Sequence, residues 1–281
     1  MAEASFSFKT SEGLAIRGNV HSPARLASPV VVCLHGFKGF KDWGFWPETA
    51  RRLGVRYGVV RFNFSHSGIG GDLETFSEKD LFESGTYTRE VEDLREVLSG
   101  LRRGDLPGSE SLDPTRIGFL AHSRGAVSAL AVAAAGEVAV DSVVLWNPVS
   151  SILWWDKVTR LRWRETGSWE VVNARTRQIF HVGTTLLDDA EKNRDHLDPL
   201  VNAGRLTHPL LCVVAAADET VSPASGRRLA AAAGGEGSFH EIPEAGHTFG
   251  AVHPFEGVTP ALEEALAITI EHFDRTLARV E

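Results

Sequence analysis

Arg116 to Gly136 reads RIGFLAHSRGAVSALAVAAAG, and the fold turns on how this stretch is interpreted. Residues 117–121 carry no polar side chain, as in a strand covered on both faces. From Gly125 onward small and apolar residues continue to Gly136, a natural helix stop. Between the two runs stand only His122, Ser123 and Arg124. A buried strand that passes into a helix through one serine has the form of the nucleophile elbow G-x-S-x-G, where a sharp turn lifts the hydroxyl above the sheet edge. Strand and helix pass close there, so the positions two before and two after the serine must be small. Gly125 meets the second requirement; Ala121 stands at the first, one methyl larger than glycine. The competing reading of Ser123 is the N-cap of a buried helix.

Outward from this stretch, short apolar runs alternate with helical patterns. SFSFKT (5–10) and LAIRGNVHSP (14–23) alternate apolar and polar residues and predict antiparallel strands. VVVCLHG (30–36), VVRFNFS (59–65), RIGFLAHS (116–123), SVVLWNPV (142–149), PLLCVVAAADE (209–219) and SFHEIPEAGH (238–247) complete eight strands. Helices are predicted from KDWGFWPETARRLGVRYG after an initial loop, from TYTREVEDLREVLSGLRR with Val91, Leu94 and Leu98 on one stripe, from residues 124–136, and from ALEEALAITIEHFDRTLARV. SPASGRRLAAAAGG predicts another, with Ser222 as N-cap and Pro223 at its first position. Strands alternating with helices imply a mainly parallel eight-stranded sheet with helices on both faces, an α/β fold. Residues 150–206 break the alternation. WEVVNARTRQIFHV resembles a hairpin around Asn173 to Arg175, and DDAEKNRDHLDPLVNAG a helix. The expectation is one domain over 1–281, with 150–206 as an insertion on its sheet.

The bulk numbers narrow the function. The 281 residues are 43% hydrophobic and 23% charged, ordinary for a globular protein, and the net charge of −8 disfavours nucleic acid and anionic membranes as partners. The two cysteines, Cys33 and Cys212, lie in apolar runs and read as buried thiols of a reducing compartment. MAEASFSFKTSEG has neither the basic nor the apolar region of a signal peptide, and no apolar stretch reaches the length of a membrane span. The expected location is the cytoplasm.

A serine hydroxyl needs a base to become a nucleophile, and the base needs an orienting carboxylate. Both occur downstream, in the order serine, acid, histidine known for such triads. CVVAAADETVSP ends an apolar strand with Asp218, at the carboxyl end where a site must lie; Glu219 is its direct competitor. EIPEAGHTFG places His247 in a loop after the last strand. Backbone N–H groups can hold the oxyanion of a tetrahedral intermediate. In CLHGFKGFKDWGFW, His35-Gly36-Phe37 offers the Phe37 N–H, and Arg124 beside the serine offers the second; His35 itself is expected to bond within its loop. SGIGGD (67–72) lacks the G-x-G-x-x-G spacing of a dinucleotide site and reads as a loop bordering the pocket. His240, His247 and His253 match no metal-ligand spacing, so neither metal nor cofactor is expected.

HGF at His35, AHSRG at Ala121, AAADETV at Asp218 and AGHTF at His247 occur in the order of the α/β-hydrolase family, which the sequence resembles over nearly its whole length. The resemblance implies Ser123, Asp218 and His247 as catalytic residues, Phe37 and Arg124 as oxyanion donors, and residues 150–206 as a cap. A short cap is more similar to single-domain carboxylesterases, including feruloyl or cinnamoyl esterases and dienelactone-hydrolase relatives, than to lipases. Serine as nucleophile argues against an epoxide hydrolase or haloalkane dehalogenase. The implied activity is hydrolysis of small-molecule carboxylic esters; an acyl-peptide or aminopeptidase-like hydrolase and a non-catalytic binding protein on the same fold are the alternatives, and a homodimer is left open.

Tryptophans mark the insertion. Trp154, Trp155, Trp163 and Trp169 fall within it, Trp146 precedes it, and Phe37, Phe40, Trp43 and Trp46 are expected to line the same mouth. Aromatic walls favour flat or bulky apolar groups. Arg160, Arg162, Arg164, Arg175 and Arg177 give the insertion a basic excess, either solvated or paired with Glu165 and Glu170.

Overall fold

Period-two burial defines the sheet. A computed structural model describes residues 2–173 and 176–277. Its strands are β1 (Ala2–Lys9), β2 (Ala15–Ser22), β3 (Ser28–Leu34), β4 (Gly58–Asn63), β5 (Leu112–His122), β6 (Ser142–Trp146), β7 (Ser168–Val172), β8 (Ile179–Gly183), β9 (Leu210–Ala215) and β10 (Gly237–Ile242). Among the described residues, eight of them form one sheet of order β1-β2-β4-β3-β5-β6-β9-β10. β1–β2 and β2–β4 pair antiparallel, while the pairs from β4 to β10 are parallel. Successive side chains point to opposite faces. Val30, Val32 and Leu34 therefore enter one core with Phe119, Val143 and Cys212. Val31 and Cys33 enter the other with Leu120, Val144 and Val213. Burial on both faces is why these runs are almost continuously apolar.

The helices are α1 (Trp46–Leu53), α2 (Lys79–Glu83), α3 (Tyr87–Arg103), α4 (Gly125–Ala135), α5 (Lys157–Thr166), α6 (Thr184–Lys192), α7 (Arg194–Leu197), α8 (Pro199–Ala203), α9 (Ala224–Ala232) and α10 (Pro260–Thr276). α3, α4 and α9 cover one face: Val91, Leu94, Leu98, Leu130 and Leu229 pack into the first core. α1 and α10 cover the other through Ala50, Leu53, Leu262 and Phe273. Thr86 caps α3 by accepting the Arg89 N–H, and Gly104 ends it in the left-handed region at φ 71°. The mainly parallel sheet with helices on both faces is the architecture expected of the sequence.

Residues 147–209, between β6 and β9, hold α5, the antiparallel β7–β8 hairpin and α6 to α8. The predicted hairpin is present, pairing β7 with β8; Ala174 and Arg175, part of the expected turn, lie outside the described residues. The single helix expected over 188–204 is instead three, broken at Asn193 and Asp198. Pro199 forces Asp198 out of the helical region, and Asp198 then caps α8 by accepting the Leu200 and Val201 N–H groups. α5 was not foreseen: KVTRLRWRET carries one buried side chain, Trp163, and no apolar stripe. α9 starts at Ala224, so Pro223 and not Ser222 stands at its N-cap. The preceding residues are occupied by a turn around Asp218, whose carboxylate accepts the Thr220 and Val221 N–H groups.

Candidate active site

The loops at the carboxyl edge of the parallel strands bring the expected groups together. Ser123 follows β5 with φ 56°, a left-handed conformation that a non-glycine residue holds only where its surroundings over-determine it. The Ser123 N–H donates to the Trp146 carbonyl at 2.9 Å, and Gly125 begins α4 at once. The turn is tight enough to fix its neighbours. A Cβ on Gly125 would stand 2.7 Å from the Leu34 carbonyl oxygen, and one on Gly36 would stand 2.9 Å from the Ser123 Cβ. Ala121 is fully buried, its methyl accommodated.

His247 joins the serine to a carboxylate. Its Nε2 lies 3.0 Å from Ser123 Oγ and its Nδ1 lies 2.6 Å from Asp218 Oδ2. The other Asp218 oxygen accepts the Thr220 N–H at 2.8 Å and the Val221 N–H at 2.9 Å. Burial alone would push this carboxyl up; the hydrogen bond and charge of His247, with the two N–H groups, hold it below the usual carboxylate range. Glu219 points to solvent and takes no part.

Two residues that the sequence reading left without a role hold the histidine loop. His122 Nε2 lies 2.9 Å from the His247 carbonyl oxygen, and Asn147 donates to the same oxygen at 2.8 Å. Burial pushes His122 down to about 3, so the ring is neutral and can donate to that carbonyl through Nε2–H. Asn147 also accepts the Ala215 N–H at 2.7 Å, tying the ends of β6 and β9 together. Asparagine in WNP, with φ 45°, was the available signal, since Asn tolerates this region better than most residues.

The Phe37 and Arg124 backbone N–H groups have no hydrogen-bond partner among the described residues, and both residues line the cavity containing Ser123. The Arg124 N–H also lies at the N-terminus of α4, where the helix dipole favours negative charge. His35 bonds within its loop through Nδ1, 3.0 Å from the Gly36 oxygen, and also outside it, where the Phe64 N–H after β4 is directed at Nε2. Burial pushes it down to about 4, consistent with a structural ring. The Arg124 guanidinium turns back to Glu90 at 2.9 Å and lies over the Tyr87 ring, 4.4 Å from its centroid.

The cavity beside Ser123 measures about 590 Å³, and Phe37, Tyr87, Trp154, Trp155 and Trp169 form its aromatic walls. The other expected aromatics are elsewhere. Phe40 and Trp46 are buried below the loop, Trp43 packs on Phe45 and His253, and Trp146 donates to Thr269 inside the second core. Trp163 is 1% exposed and donates to the Val182 carbonyl, fastening α5 to the hairpin. Aromatic type does not reveal which face of a loop a ring takes. Arg164 pairs with Asp188 and Glu191, not with Glu165 or Glu170. Arg160 reaches Glu191 as well, and Arg175 lies outside the described residues. The 67–72 loop does not reach this cavity; Ser67 borders a void of about 20 Å³ behind Phe37. His240 pairs with Glu264, and His253 Nδ1 accepts the Gly44 N–H. No group of three potential metal ligands occurs among the described residues.

Residues 31–261 match the model of the alpha/beta hydrolase family. The chain belongs to that family. Solved structures similar to this alpha/beta hydrolase include GrgF, an alpha/beta hydrolase from Penicillium sp. sh18, at 15% identity and a TM-score of 0.74, covering 99% of this chain and 100% of that one. Est1E from Butyrivibrio proteoclasticus matches at 14% identity and a TM-score of 0.68, covering 98% and 99%. Dienelactone hydrolase from Anabaena variabilis matches at 16% and 0.63, covering 99% of both chains. At these identities the likeness is one of fold. No curated protein matches the sequence. Among the described residues no helix is long and apolar enough to cross a membrane. Family membership supports a hydrolytic enzyme.

Proposed function

We propose that this alpha/beta hydrolase is a serine carboxylesterase acting on short-chain or aryl esters through an acyl-enzyme. The observation that carries the reading is the position of His247, hydrogen-bonded to Ser123 Oγ on one side and to Asp218 on the other. In this mechanism His247 takes the Ser123 proton as the oxygen attacks the ester carbonyl. The Phe37 and Arg124 N–H groups receive the oxyanion. His247 passes the proton to the departing alcohol, and Asp218 stabilises the imidazolium formed in between. Water, activated by the same histidine, then releases the acid. Residues 150–206 serve as a cap whose Trp154, Trp155 and Trp169 favour flat or compact apolar groups. A structure of Est1E carries bound ferulic acid, which makes a hydroxycinnamoyl ester a reasonable substrate to try here. A cytoplasmic location belongs to the same reading and rests on two buried, unpaired thiols, Cys33 and Cys212.

The test is kcat/KM for 4-nitrophenyl esters from acetate to palmitate, with methyl ferulate alongside, and mass-spectrometric mapping of an organophosphonate label. The label is expected on Ser123, with rates highest for the short acyl chains. A monotonic rise toward palmitate overturns the short-chain preference. Absence of both label and turnover overturns the esterase.

A further inference from the structure

The cavity beside Ser123 has cations on its lining and, among the described residues, no carboxylate. Three basic side chains contribute: Lys38, Arg124 and Arg228. Arg124 is neutralised by Glu90. The other two have no ion pair among the described residues. Arg228 on α9 donates once, to the Ser150 hydroxyl at 2.7 Å, which leaves most of its planar fork of N–H groups open. Lys38 donates to the Val172 carbonyl of β7 at 3.2 Å. Partial burial holds the Lys38 ammonium below its usual range, so its charge carries a desolvation cost with no anion to offset it.

This arrangement runs against the molecule as a whole, which carries a net charge of −8. Within residues 150–206, by contrast, Arg160 and Arg164 pair with carboxylates. An open guanidinium on the lining of an aromatic cavity matches a planar carboxylate in bidentate geometry, and an ammonium on the same lining adds attraction without directional demand. Trp154, Trp155 and Trp169 share the cavity lining with these cations and Ser123, and suit an apolar spacer.

We propose that the preferred substrate is an ester bearing a free carboxylate at the end remote from the scissile bond, received by Arg228 with Lys38 in support. The proposal rests on the esterase reading and narrows it to anionic esters. Hydrolysis of such a monoester by one water yields the alcohol and a product that keeps the remote carboxylate.

The experiment compares two substrates that differ at one end: mono-4-nitrophenyl adipate and its neutral counterpart, methyl 4-nitrophenyl adipate. Wild type is expected to favour the anionic ester in kcat/KM by about tenfold or more, with the preference falling in about 0.5 M salt. R228Q is expected to reduce that ratio about tenfold, K38Q by a smaller factor, and R228K to restore part of it. Melting temperatures of all three variants establish that the fold is retained. A wild-type ratio at or below unity, or a ratio unchanged in R228Q, overturns the proposal. If neither ester is turned over, the organophosphonate label decides the esterase reading, and calorimetry with 4-phenylbutyrate and 4-phenylbutyramide decides the pocket. Tighter binding of the acid that R228Q abolishes supports an anion site; equal binding of acid and amide overturns it.

Discussion

At the carboxyl edge of the sheet Ser123 and the His247 loop are held by groups from other strand ends, whereas between β6 and β9 the tryptophan side chains pack mainly on one another. Ser123 is fixed through the Trp146 carbonyl, and the His247 carbonyl through His122 and Asn147. In the overlying segment Trp154 stacks on Trp155, Trp155 meets Trp163 and Trp169 edge-on, and Trp154 remains 56% exposed. Val158, Leu161, Val172 and Ile179 face solvent there as well. The difference separates two tasks. In the proposed mechanism, placement of the reacting atoms rests with the strand ends. In the same proposal, selection of the substrate falls to a segment that can be altered side chain by side chain.

Four tests probe this division. The largest effect is expected at the elbow: Ser123→Ala should lower kcat by about 10⁴-fold or more while the melting temperature stays put, measured on 4-nitrophenyl acetate. A tenth of the wild-type kcat remaining would mean that the sheet edge does not house the nucleophile. Next is the carboxylate. Asp218→Asn should cost about 10³- to 10⁴-fold in kcat, since an amide cannot stabilise the imidazolium. Glu219→Gln should stay within about twofold, being an ordinary surface change. The reverse ranking would move the acid to the wrong residue.

The third test concerns pH and belongs to the sheet half alone. Asp93 is buried on α3, accepts the Ser65 N–H at 2.7 Å, and is pushed up to about 7 by burial. In an unfolded chain the same carboxyl ionises near 3.9. Between these values the folded state binds more protons than the unfolded state. The stability this group contributes below about pH 4 is therefore lost as pH rises through about 7. Asp93→Asn keeps an acceptor for Ser65 and cannot ionise, so it should gain a few kcal/mol at pH 8 relative to pH 5, compared with wild type, in denaturant melts. His35, His66, His122 and His272 are pushed down by burial to between about 3 and about 4 and act in the opposite sense, losing stability as pH falls below the ordinary histidine range. They are common to both proteins and cancel in the comparison. No difference between the two pH values would place Asp93 in a wetter setting than its packing implies.

The smallest effect is expected in the segment. Val158→Ser and Leu161→Ser should each shift stability by no more than about 0.5 kcal/mol, because both side chains are already in water. Leu34→Ala, in the first core, should cost about 2–5 kcal/mol. Comparable losses at both places would erase the contrast drawn above.

The same contrast explains what could be read from sequence. Val30 to Leu34 and Ile117 to Ala121 are apolar because both faces are covered, so their strands were legible, and Ser123, Asp218 and His247 were legible as the residues that follow such strands. The small Gly125 was legible because close backbone passage demands it. His122 and Asn147 were not, since a side chain that braces a distant loop leaves no periodic trace in its own segment. Between β6 and β9 the pattern weakens: α5 exposes most of its residues and so lacks a stripe. The break at Asp198-Pro199 was visible as proline and was outweighed by helical composition on either side. Phe40 and Trp46 were misplaced because an aromatic ring in a loop or at a helix start can turn toward core or cavity with equal chemical ease.

The indoles of Trp154, Trp155, Trp163 and Trp169 form a cluster whose neighbouring centroids lie between 4.4 and 5.7 Å apart. They make up four of the protein's seven tryptophans. At such separations the transition dipoles of stacked and edge-on indoles couple, and the near-ultraviolet circular dichroism becomes sensitive to their mutual tilt. Three of the four border the cavity. The protein thus contains its own optical gauge: any molecule that settles between these rings and the serine alters the spectrum without a dye, a label or a turnover event.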